Sequence, residues 1–277
     1  KGVYSDSIRA IRLPNELGYG KRPGLRLNLV YNPTANGGIG QLINNINVLV
    51  SSARDRFSGD TWRIINRLRD FPGPRPESLP LTNAQSLLHD LIANLAALSG
   101  MEMESMTRGA EWRFLDFGRR LERAHNLCRL FQAALTPSSL VDALLNPILE
   151  ICDSSMTYRR QYFSQPEITS VLKLLIRDKT NPRALRFQLG VMTAHLRTFS
   201  RKSDSQEEID QMTLIDKEIS SERLRGISSM LAKGESTEPA EFFGNLAGRL
   251  VEVCDTLVHR YFALVAPNID SSKGQSA

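Results

Sequence analysis

From Ile39 to Val265 apolar residues return every three or four positions, and this regularity narrows the possible folds more than any other feature of the chain. Such spacing lines one face of an α-helix, whereas a half-buried strand alternates at every second residue. Leu42, Ile43, Ile46, Leu49, Val50 and Ala53 form one stripe, and Leu87, Leu88, Leu91, Ile92, Leu95 and Leu98 form another. One short alternation, Arg26–Tyr31, reads as an edge strand within the first forty residues. Stripes joined by short connections, with no run of strands, predict an all-α bundle of about seven or eight helices behind a short irregular N-terminal extension.

Breakers divide this pattern. Residues 1–38, punctuated by Pro14, Gly18, Gly20, Pro23, Gly24, Pro33, Gly37 and Gly38, read as an irregular segment, a remnant or junction of an upstream domain. A helical domain is expected over 39–267 and a flexible tail over 268–277. Within the domain Asp60 is a candidate N-cap, and Phe71–Pro76 reads as a rigid proline-rich connector. One helix is predicted from about Val141 to Phe163, kinked or begun by Pro147, and a shorter one from Pro166 to Ile176. Asn181-Pro182 looks like an N-cap followed by proline at the first helical position. Two long helices, Ile209–Leu231 and Pro239–Val265, are expected to close the chain.

With 41% hydrophobic and 23% charged residues, 277 residues can bury a sizeable core. No apolar run reaches the roughly 18 residues of a membrane span. The net charge of +5 conceals a bias, 27 arginines against 8 lysines. Arginine is the residue for planar, bidentate pairing with carboxylate or phosphate. Cys128, Cys152 and Cys254 all fall in helical patterns, too few and too scattered for a disulfide framework or a zinc site. They read as reduced core thiols of a cytoplasmic protein.

The most strongly periodic segment, Trp112–Leu135, carries the candidate chemistry. Phe114, Phe117, Leu121, Ala124, Cys128, Phe131 and Leu135 share one face, and Trp112, Leu127 and Leu130 are read as a second face roughly opposite. A helix apolar on two sides places its charges in the seams, where Glu122, Arg119, Arg123 and His125 would have to be paired. Two readings stand. The cluster ties helices together through buried ion pairs, or it lines a pocket for a carboxylate- or phosphate-bearing ligand. Glu122-x-x-His125 has the spacing of half a di-iron site, but no second Glu-x-x-His exists, so neither metal nor cofactor is expected. On the next helix Ser155 and Arg159 interrupt an apolar stripe, with Asp153 and Tyr158 alongside, and an Arg159–Glu122 contact is predicted. No Gly-x-Ser-x-Gly elbow appears, and Asn36–Gly40 lacks the Lys-Ser/Thr of a phosphate loop. Acid–base catalysis by the Glu122/Arg123 cluster, and nucleic-acid binding by the arginine excess, are the competing functional classes.

Several segments together resemble one family. They are Met101–Gly109, Trp112-Arg-Phe-Leu-Asp-Phe-Gly-Arg-Arg-Leu-Glu-Arg-Ala124, Ile151-Cys-Asp-Ser-Ser-Met-Thr-Tyr-Arg-Arg160, Thr180-Asn-Pro-Arg-Ala-Leu-Arg-Phe-Gln188 and Arg54–Ser58. Over about Ile39–Val265 the chain resembles the Alpha-E family, bacterial all-helical domains named for a Glu-Arg motif, here Glu122-Arg123. The resemblance implies a non-catalytic accessory or substrate-recognition domain of a peptide synthesis or modification system. Its implied partners are an ATP-grasp ligase-like protein and a transglutaminase-like protein, with a peptide as substrate. Arg108, Trp112, Asp153 and Arg159 would join Glu122, Arg123, Arg119 and His125 in its polar site. The family typically carries the Glu-Arg helix twice, whereas one copy is evident here. Apolar Val48-Leu49-Val50 also stands where a polar stretch is expected before Arg54.

Overall fold

The computed structural model describes residues 38–51, 54–70, 81–135, 141–199 and 205–262. The segments read as an irregular extension, an edge strand, a proline-rich connector and a tail lie outside the described residues, apart from Gly38. The described residues contain eleven α-helices and no strand. They gather into two compact units, one ending at Gly118 and the other beginning at Arg119.

The first unit holds α1 (Ile39–Ser51), a 3-10 turn (Arg54–Arg56), α2 (Gly59–Arg69), α3 (Leu81–Ser105) and the opening of α4 (Ala110–Ala134). Ile43, Leu68 and Leu91, one from each of the first three helices, make its small core, with Ile39 and Leu98 packed at the edge. Ser58 caps α2 in place of the expected Asp60: its Oγ accepts from the Thr61 N–H at 3.2 Å. Asp60 instead pairs with Arg63 one turn on.

The second unit holds the rest of α4 and α5 (Val141–Ile151), α6 (Ser155–Tyr162), α7 (Ile168–Leu172), α8 (Leu185–Phe199), α9 (Gln206–Glu218), α10 (Ser221–Ala232) and α11 (Thr237–Phe262). Its most enclosed part is α7 with the single π-turn that extends it, Lys173–Arg177, packed against α5, α8 and α10. Val171, Leu172, Leu174, Leu175 and Ile176 are all fully buried, while Thr169 and Lys173 keep one side of the element open to solvent. At Phe131 and Phe243, α4 and α11 stack ring on ring with centroids 4.9 Å apart. Gly244 lies beside the Gln132 amide there, and a Cβ at 244 would displace it, lying 2.5 Å from Gln132 Nε2.

Eleven helices stand where seven or eight are expected, and two of the additional ones arise because two predicted long helices are each broken. Asp153, at φ 48, ends α5 in a left-handed turn in which Ser154 N–H reaches Leu149 C=O at 2.8 Å and Asp153 N–H reaches Glu150 C=O at 2.9 Å. This pattern satisfies the last carbonyls of α5 and redirects the chain into α6. Ser220, with its Oγ accepting from Arg223 N–H at 3.3 Å, caps α10 where one helix from Ile209 to Leu231 is predicted. Pro147 neither begins nor ends a helix; it lies inside α5.

Candidate functional site

The Glu-Arg helix α4 presents its charges differently from the sequence expectation. At roughly 100° per residue, Trp112, Asp116, Phe117, Leu121, Ala124, Leu127, Cys128, Phe131 and Leu135 fill one contiguous half of its circumference, and all are buried. Leu127 lies roughly 60° from Ala124 on that wheel, beside the main stripe and not opposite it. Only one seam-free open side remains, and Glu122 stands near its middle. Glu122 is therefore exposed; Arg123 falls beside Trp112 and Asp116, at the edge of the buried half, and is exposed as well, which corrects the placement of both in buried seams. Arg119 and His125 are half-buried on the flanks. Burial pushes the His125 pKa below its ordinary value. The Glu122 charge and a hydrogen bond with Asn126 oppose that shift, while Arg129 assists it. Glu122 also acts on the Cys254 thiol of α11, which burial first, then the Asp255 and Glu122 charges, raise above its usual pKa.

The remaining predicted residues do not converge on Glu122. Asp153 is exposed and pairs with Arg183 at 2.7 Å. Arg159 is exposed on α6, where it lines a polar hollow of about 650 Å³ with Asn146, Ser155, Tyr158 and Gln165. Arg159 and Glu122 thus serve different surroundings, and the contact between them is not among the ion pairs of the described residues. In the first unit the Arg108 guanidinium lies 4.2 Å from the Trp112 ring centroid and also donates to the Met103 carbonyl. Among the described residues no group of three or more His, Cys, Asp or Glu side chains is placed to hold a metal ion.

What the sequence motifs do bring together is the turn between the π-turn and α8. Asp178 Oδ1 accepts from Thr180 N–H and Thr180 Oγ1, each at 2.7 Å, and from Asn181 N–H at 3.2 Å. Burial alone would raise the Asp178 pKa, but those bonds and the Lys173 charge carry it below the usual carboxylate value. Asn181 Nδ2 donates to Leu174 C=O at 3.2 Å and its Oδ1 accepts from Arg183 N–H at 3.0 Å. Buried Gln188 donates through Nε2 to Pro182 C=O and accepts from Arg120 Nη1 at 3.3 Å. Arg120 also lies over the Phe187 ring at 5.5 Å. Three motif segments are therefore bonded to one turn: Arg120 from α4, Asp153 from the α5–α6 corner, and 180–188 itself.

The same turn feeds a groove of about 550 Å³ between α8 and α9. Phe187, Leu189, Val191 and Met212 are apolar residues of its wall, and Lys179, Arg186, Arg197 and Lys217 are its cations. Asp216 holds Arg186 bidentately, Nε to Oδ1 at 2.7 Å and Nη2 to Oδ2 at 2.9 Å. The sequence reading missed Arg120, Asp178, Gln188, Arg186 and Asp216. The Asp-x-Thr-Asn-Pro run from Asp178 was a legible signal, because Asp and Asn side chains bond backbone two or three residues on and so build turns.

A model of the Alpha-E family, described as a predicted alpha-helical domain with a conserved ER motif, matches residues 16–262. The chain belongs to the Alpha-E family. Its Alpha-E match opens inside the segment read from sequence as an irregular extension. An uncharacterised protein of Mycobacterium tuberculosis strain H37Rv is 28% identical over 253 residues, covering 87% of this chain and 28% of the mycobacterial protein. An uncharacterised protein of Mycobacterium bovis matches with the same identity and coverage. This Alpha-E chain thus spans under a third of the length of the curated relatives it matches. No solved structure matches it. No helix among the described residues is long and apolar enough to cross a membrane.

Proposed function

We propose that the chain is a non-catalytic recognition domain of a bacterial peptide synthesis or modification system, acting in the cytoplasm beside an ATP-grasp ligase-like and a transglutaminase-like protein. One observation carries this reading. Several polar side chains of the family-like motifs, Arg120, Asp153, Asn181, Arg183 and Gln188, together with neighbouring Asp178, are taken up in bonds to one another and to the backbone. Groups committed in this way shape a surface; they do not stand ready to exchange protons with a substrate. The curated relatives extend well beyond the matched stretch, which fits a domain that works beside others.

The test is reconstitution of the purified chain with an ATP-grasp ligase-like and a transglutaminase-like protein from the same organism. Peptide product should rise when the chain is added, and the chain alone should consume no ATP and cleave no peptide. Ligation or hydrolysis by the chain alone would sink the proposal. A second reading has its own support on α4, where His125 lies half-buried beside Glu122 and burial lowers its pKa. If it holds, Glu122→Gln and His125→Ala each abolish an activity of the isolated chain without unfolding it.

A further inference from the structure

Resting on the recognition reading above, we propose that the α8–α9 groove binds an acidic peptide segment, the carboxylates seated on its cationic rim and apolar side chains on its wall. Three of its four cations, Lys179, Arg197 and Lys217, have no ion-pair partner among the described residues. The fourth, Arg186, uses Nε and Nη2 on Asp216 and keeps Nη1 for an incoming carboxylate. Free cations at the edge of an apolar wall attract a chain that alternates carboxylates with apolar groups.

A peptide suits the groove better than a nucleic acid does. The Asp216 carboxylate lies within the cationic group, where it holds Arg186 and offers an acceptor to a peptide N–H. Thr193 and Thr213 both donate their hydroxyls to their own helices, to Leu189 C=O and Ile209 C=O at 2.8 Å each, leaving the hydroxyl oxygens as further acceptors. A site that offers acceptors as well as cations matches a polyamide with acidic side chains. A polyphosphate strand presents acceptors almost alone on its backbone and favours an extended cationic stripe with open stacking faces. The one ring in the groove, Phe187, is already faced by Arg120.

Gly190 provides the test, because it lines the groove on exposed α8 surface and a Cβ there meets nothing within 4 Å. Fluorescence anisotropy of a labelled Glu/Leu dodecapeptide would be measured with the full chain and with Gly190→Ala, Gly190→Glu and Lys179→Glu/Lys217→Glu variants. The Gln/Leu peptide, a single-stranded oligonucleotide of equal charge and inorganic phosphate serve as alternative ligands. The acidic peptide should bind, weaken with added salt, be unaffected by Gly190→Ala, and lose at least tenfold in affinity in both charge variants while their circular dichroism stays native. No binding, equal binding of the Gln/Leu peptide, tighter binding of the oligonucleotide, full competition by millimolar phosphate, or a native Gly190→Glu variant that binds unchanged would each overturn the assignment. Because this measurement needs no partner protein, its failure leaves the reconstitution experiment independent, and the reverse holds too.

Discussion

At the scale of single residues, the turn 178–188 shows where sequence meaning and structural work coincide. Asn181 is buried, and its amide donates to the Leu174 carbonyl in the π-turn. Removing one partner of a buried hydrogen bond costs the desolvation of the other, so Asn181→Ala is expected to lower unfolding free energy by about 1–3 kcal/mol in urea titrations. Asp178 makes the same turn sensitive to acid. Its pKa is depressed in the fold, so its contribution is complete above the unfolded value of about 3.9 and is lost as pH falls through the lower folded value. Stability measured from pH 6 down to pH 3 should therefore fall more steeply for the native sequence than for Asp178→Asn. The thiols give a third check. Burial pushes Cys128 and Cys152 up to about 12 and raises Cys254 as well. Maleimide labelling at pH 8, followed by mass spectrometry, should be slow at every cysteine and slowest at fully buried Cys128, accelerating only with unfolding.

At the scale of elements, existence was far more legible than continuity. The stripes from Leu87 to Leu98 and from Phe117 to Leu135 announce α3 and α4, because a helix that buries one side must repeat its apolar residues at that period. Asp153 and Ser220 redirect the chain inside Val141–Phe163 and Ile209–Leu231 with side chains that also occur inside helices, whereas the end at Phe163 falls where the sequence places it. Tertiary packing chose the two inner corners. Phe163 shows the cost of a left-handed end: it closes α6 at φ 52 with 88% of its surface exposed, a conformation that L side chains rarely adopt. A left-handed L residue costs roughly 1–2 kcal/mol relative to glycine, so Phe163→Gly should stabilise the chain by about 1 kcal/mol after the extra unfolded-state entropy of glycine. Thermal melting decides this, and a destabilised Phe163→Gly would mean that the exposed ring packs on something the strain estimate ignores.

At the scale of the whole molecule, the excess of arginine finds its explanation between helices. Arg186–Asp216 joins α8 to α9, Arg183–Asp153 joins the 178–188 turn to the α5–α6 corner, Arg249–Glu218 joins α11 to α9, and Arg223–Glu238 joins α10 to α11. The most consequential is Arg260–Glu208 at 3.0 Å, which ties the last turn of α11 to the first of α9 with the carboxylate only 1% exposed. Breaking a buried pair from one side costs roughly 3–5 kcal/mol, and partly open Arg260 places Arg260→Ala near the lower end. Adding Glu208→Gln to Arg260→Ala should recover much of the loss in urea unfolding, since the neutral amide no longer carries an unpaired charge into the interior. The sequence by itself determined that the chain is helical and that it bears the Glu-Arg segment of its family, because period and side-chain chemistry are local properties. Only the tertiary structure decided that Glu122 and Arg123 face outward, that Arg120 and Gln188 meet across 68 positions, and that four cations converge on one groove. Which side of a helix is covered, and which distant residues share a turn, depends on the neighbours that pack against it, and no window along the chain contains those neighbours.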